Sequence, residues 1–109
     1  KIKYAIKRYT DEVNRLYGVM NKQLKKNEYL SGRYSIADMA CWGWIIPWKN
    51  QGQKISDFPD LKRWFEKVGQ RPAVIKGFAA GKEMRKQLLS ENTKEAKKAK
   101  SILFNQRSR

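Results

Sequence analysis

Cys41 is the chain's one cysteine and its only soft nucleophile, and it follows the carboxylate Asp38 by three residues in Ser35-Ile36-Ala37-Asp38-Met39-Ala40-Cys41-Trp42. A thiol becomes reactive where a helix N-terminus or a nearby cation stabilises its thiolate. Cys41 has neither in sequence; it sits mid-run among apolar residues and reads as an inert core thiol. Asp38 has the chemistry of a general base, but its spacing from Ser35 already accounts for it. Ser-x-x-Asp is a capping box, in which the serine side chain accepts from the backbone N–H three residues on and the carboxylate reaches back to the serine N–H. Trp42, Trp44 and Trp48 have the area to line a pocket for aromatic ligands or to fill a core. Separations of two, four and six residues keep them from sharing one helical face. Gly77 and Gly81 have the wrong spacing for a phosphate loop.

Composition removes further chemistry. The 109 residues hold no histidine, which excludes a Ser-His-Asp triad, a Cys-His pair and His-ligated metals. A single cysteine excludes an internal disulfide and a multi-cysteine zinc site, so no metal ligand set is expected. The 25 Lys and Arg against 10 Asp and Glu leave a net charge of +15. Residues 85–109 hold a net +6, the densest basic stretch, read as a lysine-rich solvated helix face. Nucleic-acid binding, if any, is expected to be non-specific and to come from that tail. The longest apolar run, Met39 to Trp48, is too short to span a bilayer, and no apolar run follows the basic start, so a cytoplasmic chain without membrane contact is expected.

These residues need helices to hold them. Ile2, Ile6, Tyr9, Val13, Leu16, Met20 and Leu24 recur at intervals of three and four, predicting a first helix with one apolar stripe. Its start carries no capping residue and places Lys1 and Lys3 at the positive end of the dipole, which predicts that an element before it is missing. A loop from Asn27 to Tyr34 turns at Gly32. The capping box opens a second helix from Ile36 towards Lys49, with Tyr34 and Met39 at the staple positions. That helix is apolar nearly all round and is expected inside the domain, kinked or ended early by Pro47. Gln51-Gly52-Gln53 reads as a turn. Pro59 suits the first position of a third helix that turns Leu61, Trp64, Phe65 and Val68 inward. Arg71-Pro72 separates it from a short fourth helix weakened by Gly77 and Gly81. Asn92 and Glu95 mark a cap for a fifth, ending near Phe104. No strand pattern occurs. The expected fold is all-α, an orthogonal bundle of about five helices, with 1–84 as the helical domain and 85–109 as its basic tail.

Four marks in this order, Tyr29-Leu30 before Gly32, the Ser35–Asp38 box, Asp57-Phe58-Pro59 followed by Lys62-Arg63-Trp64, and Arg71-Pro72-Ala73-Val74, resemble the carboxy-terminal helical domain of glutathione S-transferases, most of all the bacterial nu class and its yeast Ure2-like relatives. The resemblance extends to the first helix and to the closing Ser101-Ile102-Leu103-Phe104.

The resemblance implies a thioredoxin-like amino-terminal domain as partner, which binds glutathione as co-substrate and activates its thiol. It also implies a homodimer when intact, and a hydrophobic electrophile or a disulfide as the other substrate. No catalytic residue carries over to this sequence. The helical domain would supply one wall of the acceptor pocket, with Trp42, Trp44 and Phe104 as candidates. The alternative is a non-catalytic interaction module of the kind found in translation factors and tRNA-synthetase assemblies.

Overall fold

A computed structural model describes residues 2–89 together with 94, 97, 98 and 101. Every regular element among them is helical: α1 (Lys3–Lys26), α2 (Ile36–Ile45), a single 3-10 turn (Ile55–Asp57), α3 (Pro59–Gly69) and α4 (Pro72–Leu89). The chain parts into two compact units, Lys1–Arg71 and Pro72–Arg109. The projected fifth helix lies mostly outside the described residues, although Lys94, Lys97, Lys98 and Ser101 are helical.

In the first unit, α3 is the central element, packed against α1, α2 and the 3-10 turn. Leu61, Trp64 and Val68 recur on one face and are wholly buried. Tyr17 and Leu24 of α1, Ile45 of α2, and Ile55 and Phe58 before α3 close around them. Tyr17 meets Phe58 edge-on, with ring centroids 5.6 Å apart. Burial of the phenol pushes the Tyr17 pKa up, and its hydroxyl donates to Gln51 Oε1 at 2.5 Å.

Two helices depart from the sequence expectation. The apolar stripe of α1 is covered only towards its C-terminal end; Ile2, Ile6, Tyr9 and Leu16 are exposed. The second helix was expected inside, yet of α2 only Asp38 and Ile45 are buried. A helix that is apolar all round needs partners on every side, and here one side is met, chiefly by α3. Pro47 acts as expected, since α2 stops at Ile45 and a turn takes over.

Two glycines do what the turns require. Gly32, at φ 85°, closes the turn in which its N–H donates to Tyr29 O at 3.0 Å. Gly52, at φ 71°, lets the 46–54 loop lie against Thr10. Gln53 then locks that loop down: its Nε2 donates to Thr10 O at 2.9 Å, and its Oε1 accepts from Asn14 Nδ2 at 3.0 Å. In the second unit, α4 runs for 18 residues, longer than expected, passing through both Gly77 and Gly81.

Candidate functional site

Helix α2 has a back that is anchored and a front that is open. The anchor is Asp38, at 0% exposure. Its Oδ2 accepts from Ser35 N at 2.9 Å, while Ser35 Oγ accepts from Ala37 N at 3.3 Å, forming the capping box. Its Oδ1 accepts from Leu30 N at 3.1 Å and from Trp64 Nε1 at 2.7 Å. Burial by itself would raise the Asp38 pKa. The hydrogen bonds from Trp64, Leu30 and Ser35 outweigh that and hold it below its ordinary value. Asp38 is thus an ionised structural hub joining the 27–34 loop, α2 and α3, with no lone pair aimed at solvent for acid–base work.

The same side of α2 carries Trp42. Its indole stacks on Phe65 at 5.6 Å and 19°, and its Nε1 donates to Phe65 O at 3.0 Å. Gly69 makes room for that ring: a Cβ there would sit 3.2 Å from Trp42 Cζ2. Cys41, given to the core by its sequence context, is only half-buried.

The front of α2 is made of Ile36, Met39, Ala40, Gly43 and Trp44, which share one face at helical spacing and are all exposed. Trp44 is 76% exposed and Ile36 82%. Ala40 and Gly43 are the small residues of this face, set among Ile36, Met39 and Trp44. Met39, expected to staple against Tyr34, belongs to this open face. Tyr34 instead meets Tyr29 edge-on at 5.5 Å, and the Arg71 guanidinium lies 3.6 Å over its ring.

Of the three pocket candidates, Trp42 therefore faces α3 and Trp44 faces outward, while Phe104 lies outside the described residues. Sequence reasoning passed over Trp64 as the partner of Asp38. The exposed face could have been drawn from the helical period; the Trp64 bond spans 26 residues and leaves no local mark.

Three side chains tie α3 to α1 and to the 27–34 loop. Asn21 of α1 places Oδ1 2.9 Å from Asp60 N and 3.0 Å from Leu61 N, capping α3, whose own N-cap residue Phe58 supplies no side-chain bond. Arg63 of α3 returns the service: its Nη2 donates to Leu24 O at 2.8 Å and to Asn27 O at 3.2 Å at the end of α1. Lys67 pairs with Glu28 and lies over the Tyr29 ring. No cluster of potential metal ligands occurs among the described residues, and none of their helices is long and apolar enough to cross a membrane.

Comparison with known proteins agrees with this architecture. Residues 2–81 match the family described as "Glutathione S-transferase, C-terminal domain". The chain is 47% identical over 74 residues to disulfide-bond oxidoreductase YfcG of Escherichia coli, an alignment covering 67% of this chain and 34% of that protein. It is 39% identical over 85 residues to disulfide-bond oxidoreductase YghU of the same organism, covering 71% and 30%. It is 29% identical over 114 residues to the transcriptional regulator URE2 of Saccharomyces cerevisiae, covering 70% and 31%. The chain spans about a third of the length of these curated relatives. The all-helical fold and the match over residues 2–81 place this chain in the glutathione S-transferase family, as a C-terminal helical domain.

Proposed function

We propose that this domain forms the acceptor-substrate side of a cytoplasmic, dimeric, glutathione-dependent disulfide reductase or glutathione transferase. The observation that carries the reading is the 47% identity over 74 residues to a protein named as a disulfide-bond oxidoreductase. In this reading a thioredoxin-like domain binds glutathione and activates its thiol. The thiolate attacks a disulfide sulfur, forming a mixed disulfide and releasing the other sulfur as thiolate, or an electrophilic carbon, forming a thioether as the carbon's leaving group departs. The open face of α2, with Trp44 at its end, supplies apolar area for the acceptor, and Trp42 holds that helix on α3.

The test is glutathione-dependent reduction of 2-hydroxyethyl disulfide, and conjugation of a chromogenic aryl halide, by the intact protein containing this domain. Turnover above the uncatalysed thiol reaction is expected for at least one. Trp44→Ala should raise KM for the acceptor several-fold and leave KM for glutathione unchanged. Absence of both activities, with glutathione unbound, would favour a non-catalytic interaction module, the reading to which the net charge of +15 lends weight.

A further inference from the structure

Acids and cations are distributed unequally between the two units. In the first, Lys7 pairs with Asp11, Arg8 and Arg15 with Glu12, Lys62 with Glu66, and Lys67 with Glu28. Arg63 is engaged by carbonyls and Arg71 by the Tyr34 ring. Among the described residues the cations of α4 show no such pairing. Lys76, Lys82, Arg85 and Lys86 are exposed, form no ion pair among the described residues, and share their helix with one acid, Glu83.

The cations are also ordered. Lys82-Glu83-Met84-Arg85-Lys86 and Lys94-Glu95-Ala96-Lys97-Lys98 repeat one pattern, Lys-Glu-x-(Arg/Lys)-Lys. In both, the three cations are three and four residues apart, so each set gathers on one helix face within about one 5.4 Å turn. Lys94, Lys97 and Lys98 are helical and exposed, as are Lys82, Arg85 and Lys86.

We propose that these two trivalent clusters, in α4 and beyond it, dock the phosphate backbone of a nucleic acid without sequence selectivity. Closely set cations displace condensed counterions from a strand of phosphates, and that release drives binding. An anionic bilayer is the poorer partner, because a surface-lying helix needs an apolar face kept clear of charge. In α4, Lys82 falls seven residues after Ile75 and four after Phe78, and Arg85 falls seven after Phe78, so the cations share the apolar side. With no aromatic ring inside either cluster, stacking on bases has little to work with, and the contact is to phosphate.

The test is fluorescence anisotropy of the full chain with a labelled 20-nucleotide RNA, a 20-base-pair DNA duplex and vesicles rich in phosphatidylserine. One variant neutralises both clusters (K82Q, R85Q, K86Q, K94Q, K97Q, K98Q). A matched control neutralises six exposed cations spread over the first unit, no three of them on one helix face (K3Q, K22Q, R33Q, K49Q, K54Q, K62Q). Circular dichroism checks that both stay helical. Engagement of six phosphates predicts a loss of about 1,000-fold in duplex affinity between 50 and 200 mM salt. At the lower salt the cluster variant should lose at least about tenfold more affinity than the control, a difference that six lost phosphate contacts readily supply. Equal losses in the two variants would overturn the proposal, as would sequence-selective binding, absence of nucleic-acid binding at 50 mM salt, or binding to vesicles alone.

Discussion

The indole N–H of Trp64 and the carboxylate of Asp38, both at 0% exposure, meet at 2.7 Å in the core of the first unit. A buried charge is costly unless every lone pair is used, and Asp38 spends both oxygens on donors from the 27–34 loop, α2 and α3. Removing the carboxylate strands the buried Trp64 donor. Asp38→Ala should therefore destabilise the chain by roughly 3 kcal/mol, the loss of charge-assisted bonds plus an unsatisfied indole. Urea denaturation followed by circular dichroism checks this; an unchanged midpoint would remove Asp38 from the centre of the fold.

Ser35→Ala should cost about 1 kcal/mol, the usual penalty for a lost N-cap. Because the Ser35 hydroxyl also donates to Asp38 Oδ2, at 3.4 Å, the Ser35→Ala/Asp38→Ala double variant should cost less than the two singles added. Strict additivity in a double-mutant cycle would show that the two halves of the box act independently.

Acidification should expose the same hub. The folded state holds the Asp38 pKa below its unfolded value, so the stabilisation is complete above the unfolded pKa of about 3.9 and fades as pH falls towards the lower folded one. Glu12, held low by the Arg15 hydrogen bond, and Glu28, by the Lys67 hydrogen bond, act with the same sign, but their pairs are open to solvent and yield to salt. Thermal melts of the wild type should fall steeply below pH 4 even in high salt. Asp38→Asn should start lower and show a flatter acid limb, and an acid limb as steep as the wild type's would count against the hub.

Asn21 and Arg63 exchange caps between α1 and α3, so each helix end depends on the other. Asn21→Ala should lose about 1–2 kcal/mol, while Asn21→Asp, which keeps the acceptor and adds a favourable charge at the α3 N-terminus, should retain most of the stability. Arg63→Lys should weaken the α1 end, since a lysine lacks the planar fork that reaches several carbonyls. Denaturant midpoints for the three variants are the measurement, and equal losses for Asn21→Ala and Asn21→Asp would contradict a capping role.

Trp42 and Trp44 should separate cleanly. Trp42→Ala removes the Phe65 stack and the bond to its carbonyl, for a loss of about 3 kcal/mol or more. Trp44→Ala, on an exposed face, should stay within about 0.5 kcal/mol of the wild type. Gly69→Ala should behave as a mild Trp42 variant by pushing on the indole. Near-ultraviolet circular dichroism should lose more of its tryptophan signal in the Trp42 variant than in the Trp44 variant, with the buried Trp64 keeping its share in both; the reverse would mean that α2 is turned the other way.

Local features were legible in the sequence because local spacing causes them. The Ser35–Asp38 box closes over three residues, Pro47 ends α2, Pro59 starts α3, and the Leu61, Trp64 and Val68 spacing marks the buried face of α3. Composition and the four ordered motifs carried the all-helical class and the family. Helical period states which residues share a face but not whether anything covers it, so α2 looked like the interior helix although α3 takes that place. The bond from Trp64 to Asp38, the cap that Asn21 gives α3, the Arg63 contacts on α1 and the division of labour between Trp42 and Trp44 join residues far apart in the chain or set on opposite sides of one helix. Those pairings exist only once the helices are packed, because packing alone fixes which buried donor meets which acceptor.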